Sequence, residues 1–274
     1  CIKLFATMDD SEVYLEQEYK DNSILLVAIP TTSGTGSEST RYAVVYYEGK
    51  KQSVTHNSIV PAYAILDYRN LNTLPIYQKK CTMMDAFCQS IESWWSVNAT
   101  EESREYAKKA LSGIMKYMDS YMENEADGNK QMMIAANYAG RAICISQTTA
   151  AHAMSYKLTS LYKIPHGRAA FMCLPYIWKY MWNVVGEAND EVSLRLKTLF
   201  IEIAAGMGCE NVMDAISKLF LMNETLFCND KVELNMEDVD VLTDSVNPVR
   251  LGNNPVKLFQ EVLRDLYSEI ISAY

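Results

Sequence analysis

From Pro75 to the end of the chain, apolar residues recur at three- and four-residue spacing, and such a period admits little except a set of packed helices. The periodic segments are 81–95, 101–122, 130–145, 150–161, 168–181, 193–207, 212–221 and 255–273. Thr100, ahead of the acidic turn Glu101-Glu102-Ser103-Arg104-Glu105, is the expected N-cap of the second. Trp94, Trp95, Trp178 and Trp182 fall on apolar faces and read as core. Residues 225–244 read as a polar connection, and 247–255 as a loop before the last helix.

Ahead of Pro75 the pattern differs. Residues 1–22 read as a short helical segment followed by a polar stretch with Ser11, Glu12 and Asp21. Residues 23–29, Ser23 followed by six apolar residues and ending at Pro30, have the signature of a buried strand. Residues 41–56 alternate, with Tyr42, Val44 and Tyr46 on one face and a turn at Glu48-Gly49-Lys50-Lys51, which predicts a β-hairpin. Residues 62–67 form another short strand. The chain thus divides into an α/β piece, residues 1–74, and an all-helical domain, residues 75–274.

A chain of 274 residues that is 49% hydrophobic can bury a sizeable core in one large or two moderate domains. Its longest apolar run has strand length, too short for a membrane span, and no basic-apolar signal opens it. Seven cysteines, an odd number without a CxxC pair, read as reduced core residues of a cytoplasmic protein. A net charge of -9 disfavours nucleic acid or an anionic membrane as partner and leaves room for a small basic pocket. A homo-oligomer is compatible with all of this.

Of only three histidines, two lie in 150–167. His152 sits in a small-residue helical run, and His166 stands between Pro165 and Gly167, so one imidazole comes from a helix and the other from a turn. Upstream, Asp85 and Gln89 are four residues apart and project from one helix face. A carboxylate, an amide oxygen and two imidazoles suit a divalent ion with positions left open for water or substrate. Cys88 points about 100° away from Gln89 and is a poor fourth donor. The competing reading is a hydrogen-bonded core histidine.

Three segments carry a resemblance. Asp85-Ala86-x-x-Gln89-x-Ile91-Glu92, Ala151-His152-Ala153-Met154 and Pro165-His166-Gly167 resemble the metal-binding segments of the iron-containing (group III) alcohol dehydrogenase family. Residues 29–38, a strand end running into a Thr/Ser/Gly loop, resemble that family's nucleotide loop, and Asn247-Pro248-x-Arg250-Leu251-x-Asn253-Asn254-Pro255 extends the likeness. The resemblance implies a dehydroquinate synthase-like fold, with residues 1–74 the remnant of a Rossmann-like nucleotide domain and 75–274 the metal-binding, catalytic part. It also implies that roughly 100 residues of dinucleotide fold precede Cys1, and that Cys1-Ile2-Lys3-Leu4-Phe5 belongs to the helix after the pyrophosphate motif.

By the same resemblance Asp85, His152 and His166 are metal ligands, with Gln89 where the family's second ligand is histidine. An amide oxygen binds borderline ions more weakly than imidazole, which leaves iron, zinc or another divalent ion open. Thr31, Thr32, Ser33, Gly34, Thr35 and Gly36 would meet NADH or NADPH. Lys51 would lie near the cofactor or be a solvated hairpin lysine. Tyr156 stands where many members have a proton-relaying histidine, and is either a proton donor or a buried tyrosine. Thr148, Thr149, Ser155, Lys157, Thr159 and Arg168 cluster hydroxyls and cations that suit an anionic tail on an aldehyde. This combination resembles the branch that reduces phosphonoacetaldehyde to 2-hydroxyethylphosphonate. The rival expectations are a general short-chain alcohol or polyol dehydrogenase and a catalytically silent metal- or ligand-binding domain.

Overall fold

A computed structural model describes residues 2–6, 19, 21–47 and 50–274. Helix α1 (Ile2–Phe5) opens it. Cys1, the polar stretch around Ser11 and Glu12, and the hairpin tip at Glu48 and Gly49 lie outside the described residues. The strand expected over 23–29 reduces to β1 (Val27–Ala28). Strands β2 (Tyr42–Tyr47) and β3 (Lys50–Thr55) form the expected antiparallel hairpin, with Tyr42 opposite Thr55 and Tyr46 opposite Lys51. Lys50 and Lys51 therefore belong to a strand instead of a turn. Strand β4 (Tyr63–Ala64) pairs in parallel with β1.

The expectation of a buried strand at 23–29 is corrected: Ile24, Leu25, Val27 and Ile29 are all exposed. A continuous apolar strand is covered only when sheet neighbours and helices close both of its faces. Among the described residues β1 has one two-residue neighbour.

From residue 76 the helices follow the apolar period closely. They are α2 (Ile76–Trp95), α3 (Glu101–Met122), α4 (Ala126–Ser146), α5 (Ala150–Tyr162), α6 (His166–Glu187), α7 (Glu191–Gly206) and α8 (Val212–Phe227). Thr100 caps α3 in a reciprocal box with Ser103. The connection expected over 225–244 is partly helical, since α8 runs to Phe227 and α9 (Val239–Asp244) follows. The loop expected over 247–255 contains one turn, α10 (Pro248–Leu251), whose first amides bond to the Asn247 side chain. Helix α11 (Gln260–Ser272) starts later than the apolar pattern suggests. Val256 and Leu258 are buried while Lys257 and Phe259 are exposed, a period of two that belongs to extended chain.

Helix α2 is the axis of the bundle, in contact with α3, α4, α5, α6 and α7. Surrounded in this way, it buries polar as well as apolar side chains. Trp95, Trp178 and Phe200 meet edge to face at ring spacings of 5.6 and 5.7 Å and close one end of the core. Among the described residues no helix is long and apolar enough to cross a membrane.

Candidate metal centre

Helix α2 carries Asp85, Gln89 and Glu92 at spacings of four and three residues. Two turns return Glu92 to within about 20° of Asp85, so all three point the same way. All are buried. Facing them is the first turn of α5, which Glu92 holds: its Oε1 accepts from the Thr149 amide at 3.0 Å, the Thr149 hydroxyl at 2.9 Å and the His152 amide at 3.2 Å. Trp95 Nε1 donates to the same hydroxyl at 2.9 Å. One carboxylate oxygen thus satisfies two of the open amides of a helix start.

The other Glu92 oxygen bonds His152 Nδ1, and His152 Nε2 lies 3.1 Å from Asp85 Oδ1. Glu92 so fixes the orientation of the ring and turns Nε2 toward Asp85. Burial works against a charged His152, but Glu92 and the hydrogen bond to Asp85 outweigh it and raise its pKa to about 10. Burial likewise opposes ionisation of Asp85 and Glu92. For Asp85 the hydrogen bond from His152 prevails, and for Glu92 the charge of His152, so both carboxyls lie below their ordinary values. With a proton on each nitrogen, His152 is a cation between two carboxylates. A divalent ion at the same place would displace the Nε2 proton.

The second imidazole arrives on α6. His166 is the first residue of that helix, after Pro165. Gly167 lets the helix close on α2: a Cβ there would stand 2.1 Å from the Cys81 carbonyl oxygen and 2.6 Å from Asp85 Cβ. The Ser155 hydroxyl donates to the His152 carbonyl at 2.8 Å and lies 3.2 Å from His166 Nδ1. One donor atom from each of Asp85, His152 and His166 falls within 4.8 Å of the others, near the ~4 Å that donors at about 2.1 Å span across one ion. Gln89 stands one turn from Asp85 on the same face of α2. Its amide nitrogen reaches the Thr35 carbonyl at 3.5 Å, while its Oε1 is buried with no hydrogen-bond partner. A buried acceptor without a partner is costly, and a carboxylate with two imidazoles is a donor set that suits a divalent ion, so the residues present fit one.

The Thr/Ser/Gly loop adjoins this centre through Thr35. Gly34 and Gly36 serve close packing: a Cβ on Gly34 would meet Thr82 at 2.7 Å, and Gly36, with φ of +59°, has its Cα face against Gly140, where a Cβ would come within 2.3 Å. Ser33 is buried beneath the loop. Thr31, Thr32 and Thr35 instead line a cavity of about 630 Å³ that also includes Pro30, Ser37 and Tyr42. The six loop residues thus divide into three that anchor and three that face space. Lys51 is in β3, with its backbone paired to Tyr46.

Of the remaining expected residues, Thr149 is committed to Glu92 and Trp95, Ser155 to the two histidines, and the Thr148 carbonyl to Asn253 Nδ2 at 3.2 Å. Thr159 is half-buried, with its hydroxyl unpartnered. Lys157 is half-buried and sits about 140° around α5 from His152. Tyr156 stacks on His166 at 5.2 Å with the rings 12° apart. Arg168 turns away: it donates to Tyr77 Oη at 3.1 Å and to the Asp230 carbonyl, and lies over the Phe227 ring at 4.6 Å. Two residues along a helix is about 200° of rotation, so the position after His166-Gly167 carried Arg168 to the far side. Cys88 is buried, with its thiol pKa raised by burial. Cys228, expected in the core, is exposed.

Two residues of the resembling segments, Glu92 and Arg250, had no role assigned from the sequence. Glu92 was visible in its two-turn spacing from Asp85. Arg250, from α10, places its guanidinium 5.2 Å from the centre of the Tyr156 ring, and no local spacing signals that contact.

Comparison with known proteins identifies the family. The C-terminal profile of the Fe-containing alcohol dehydrogenase family matches residues 80–271, and the iron-containing alcohol dehydrogenase profile matches residues 1–68. Phosphonoacetaldehyde reductase of Streptomyces viridochromogenes is 28% identical over 254 residues, 90% of this chain and 64% of that protein. The probable alcohol dehydrogenase EutG of Escherichia coli is 31% identical over 206 residues, 72% of this chain and 51% of that one. Sulfoacetaldehyde reductase from Bifidobacterium kashiwanohense, solved in complex with NAD+, superposes with a TM-score of 0.85 at 25% identity, over 99% of this chain and 72% of that one. The chain spans 64% and 51% of the lengths of these two curated relatives. With the family's C-terminal profile matching residues 80–271, the chain belongs to the iron-containing alcohol dehydrogenase family.

Proposed function

We propose that this chain carries the carbonyl-reducing centre of an enzyme that uses NADH or NADPH to reduce a small anionic aldehyde, most specifically phosphonoacetaldehyde to 2-hydroxyethylphosphonate. The observation that carries the reading is the set of buried Asp85, Gln89 and His152 with half-buried His166, the Gln89 oxygen being unsatisfied. These four residues would hold a divalent ion, iron or zinc. When bound, that ion supplies Lewis-acid polarisation of the aldehyde oxygen. Glu92 orients His152, and Gly167 keeps His166 within reach of Asp85. Tyr156, stacked on His166, serves as the proton donor to the product oxygen. Thr31, Thr32 and Thr35, on the adjoining cavity, contact the nicotinamide cofactor. In this reading residues 1–74 are the part of the nucleotide domain present here, and 75–274 are the catalytic domain.

Support for the anionic substrate comes from two relatives whose names specify two-carbon aldehydes bearing an acid group, phosphonoacetaldehyde and sulfoacetaldehyde. The test is steady-state oxidation of NADH or NADPH by the metal-loaded protein with phosphonoacetaldehyde against butyraldehyde, and NAD(P)+ reduction with glycerol. The expected kcat/KM for phosphonoacetaldehyde exceeds that for butyraldehyde at least about tenfold. Equal or reversed preference would replace this reading with a general short-chain alcohol dehydrogenase.

A further inference from the structure

If the substrate bears an acid group, a cation must receive it, and the two basic residues expected for that role, Lys157 and Arg168, do not supply one. Arg168 is engaged with Tyr77, Asp230 and Phe227, and Lys157 is turned around α5 from His152. The geometry points to Arg250 as the residue that holds the anionic end of the substrate and so determines specificity. The inference rests on the reading of the centre as an aldehyde reductase.

Arg250 is linked to the centre through Tyr156. Its guanidinium is 5.2 Å from the Tyr156 ring centre, and that ring is 5.2 Å from the His166 ring. A two-carbon aldehyde with a terminal phosphonate measures roughly 4 Å from carbonyl oxygen to phosphorus. A substrate that short can meet Arg250 with its acid group only if its carbonyl lies close to Tyr156 and His166, the two rings that lead from Arg250 to the donor set. Longer or neutral aldehydes gain nothing from the cation.

Arg250 is also held in place yet uncommitted. Asn247 Oδ1 accepts from the Val249 and Arg250 amides at 2.9 and 3.3 Å, and the Arg250 carbonyl accepts from the Asn253 amide at 3.2 Å. Asn253 in turn donates to Gln147 Oε1 at 2.9 Å and to the Thr148 carbonyl, and accepts from Asn98, which ties the turn to the start of α5. The guanidinium itself has one side-chain hydrogen bond, to Ser53 Oγ at 3.5 Å, and among the described residues no carboxylate pairs with it. A planar donor fork, half-buried, backed by an aromatic ring and lacking a counterion suits a tetrahedral oxyanion.

The test is a binding measurement on the cobalt-loaded chain, titrated by calorimetry with 2-hydroxyethylphosphonate, 2-hydroxyethylsulfonate and 1-propanol. The wild type, Arg250→Met and Arg250→Lys are compared, and the cobalt absorption spectrum reports that the centre is intact in each. The expected result is that Arg250→Met weakens binding of the phosphonate at least about tenfold and leaves 1-propanol unchanged, with Arg250→Lys recovering part of the loss. A larger loss for the phosphonate than for the sulfonate assigns the dianion as the better ligand, and the reverse assigns the sulfonate. Unchanged phosphonate binding in Arg250→Met overturns the role of Arg250 while leaving the anionic substrate standing. Wild-type protein that binds the phosphonate no better than 1-propanol overturns both.

Discussion

The two halves of α2 bury polar groups in opposite ways. Near its start, Lys79 is almost wholly buried, and its ammonium donates to the Tyr121 carbonyl at 3.2 Å, Asn124 Oδ1 at 2.6 Å and Asn129 Oδ1 at 2.7 Å. Three donors meet three acceptors, and the Tyr121 ring lies 4.5 Å from the ammonium. Less than two turns later, Asp85, Gln89 and Glu92 face two imidazoles with the Gln89 oxygen left over. A saturated buried charge pins α2 to the turn between α3 and α4. A buried cluster with spare acceptor capacity is organised for something that is not protein. The distinction lies in what remains unpaired, since both groups are equally hidden.

The sharpest way to break this comparison is to truncate one member of each cluster. His152→Ala removes a donor and the group that Glu92 orients, and the expected metal content falls from about one equivalent per chain to none by elemental analysis. Metal retained in His152→Ala, or none in the wild type after incubation with zinc or iron, would sink the metal assignment. Lys79→Met should do the converse. It leaves Asn129 Oδ1 without a donor, while the Tyr121 carbonyl keeps the Asn124 amide and Asn124 Oδ1 keeps Asn129 Nδ2, and this costs about 1–3 kcal/mol in denaturant unfolding, with metal stoichiometry unchanged.

A smaller effect separates holding a metal from aiming its ligand. Glu92→Gln keeps the volume of the side chain and can still accept from Thr149, but it removes the anion beside His152 Nδ1. Metal affinity should drop about 10- to 100-fold in a competitive chelator titration, with binding still measurable. Complete loss of metal would make Glu92 as indispensable as the direct donors, and no loss would reduce it to a cap on α5.

How much of this was legible in the sequence follows the same division. Groups whose role is set by their own chemistry and by helical spacing could be read: Asp85 and Gln89 one turn apart, the two histidines, and the helices themselves, whose apolar period survives in every case from α2 to α8. Glu92 was readable from its two-turn spacing, but its function lies in what it bonds, and that partner is on another helix. Gly34, Gly36 and Gly167 look like ordinary turn residues until the backbone they approach is known. Arg168 misleads because sequence proximity to His166 reverses into opposition once both stand on α6. Arg250 reaches Tyr156 only through the folding of α10 against α5, and a contact of that kind has no local signature. The exposed strand at 23–29 fails for a related reason, because burial depends on neighbours that the strand's own residues do not specify.

The mildest perturbation, pH, tests whether a proton and a metal ion compete for the same atom. His152 has a pKa of about 10 in the folded protein against an ordinary value of 6.5. A group whose folded pKa is raised contributes its stabilisation fully below the unfolded value and loses it as pH climbs toward the folded one. Asp85 and Glu92, lowered in the folded state, contribute above the ordinary carboxylate range and lose their share only in acid. Protein stripped with a chelator should therefore be most stable near pH 5–6 and lose melting temperature between pH 6.5 and 10, at about 2–4 °C for each kcal/mol. Metal-loaded protein should hold its melting temperature over the same window, because binding expels the Nε2 proton and strengthens as that proton becomes easier to remove, which offsets the loss. The gap between the two melting curves should thus widen with pH in the wild type and stay flat in His152→Ala. A gap that is constant with pH in the wild type would mean that the ion binds without displacing the proton, and that His152 belongs, like Lys79, to the architecture alone.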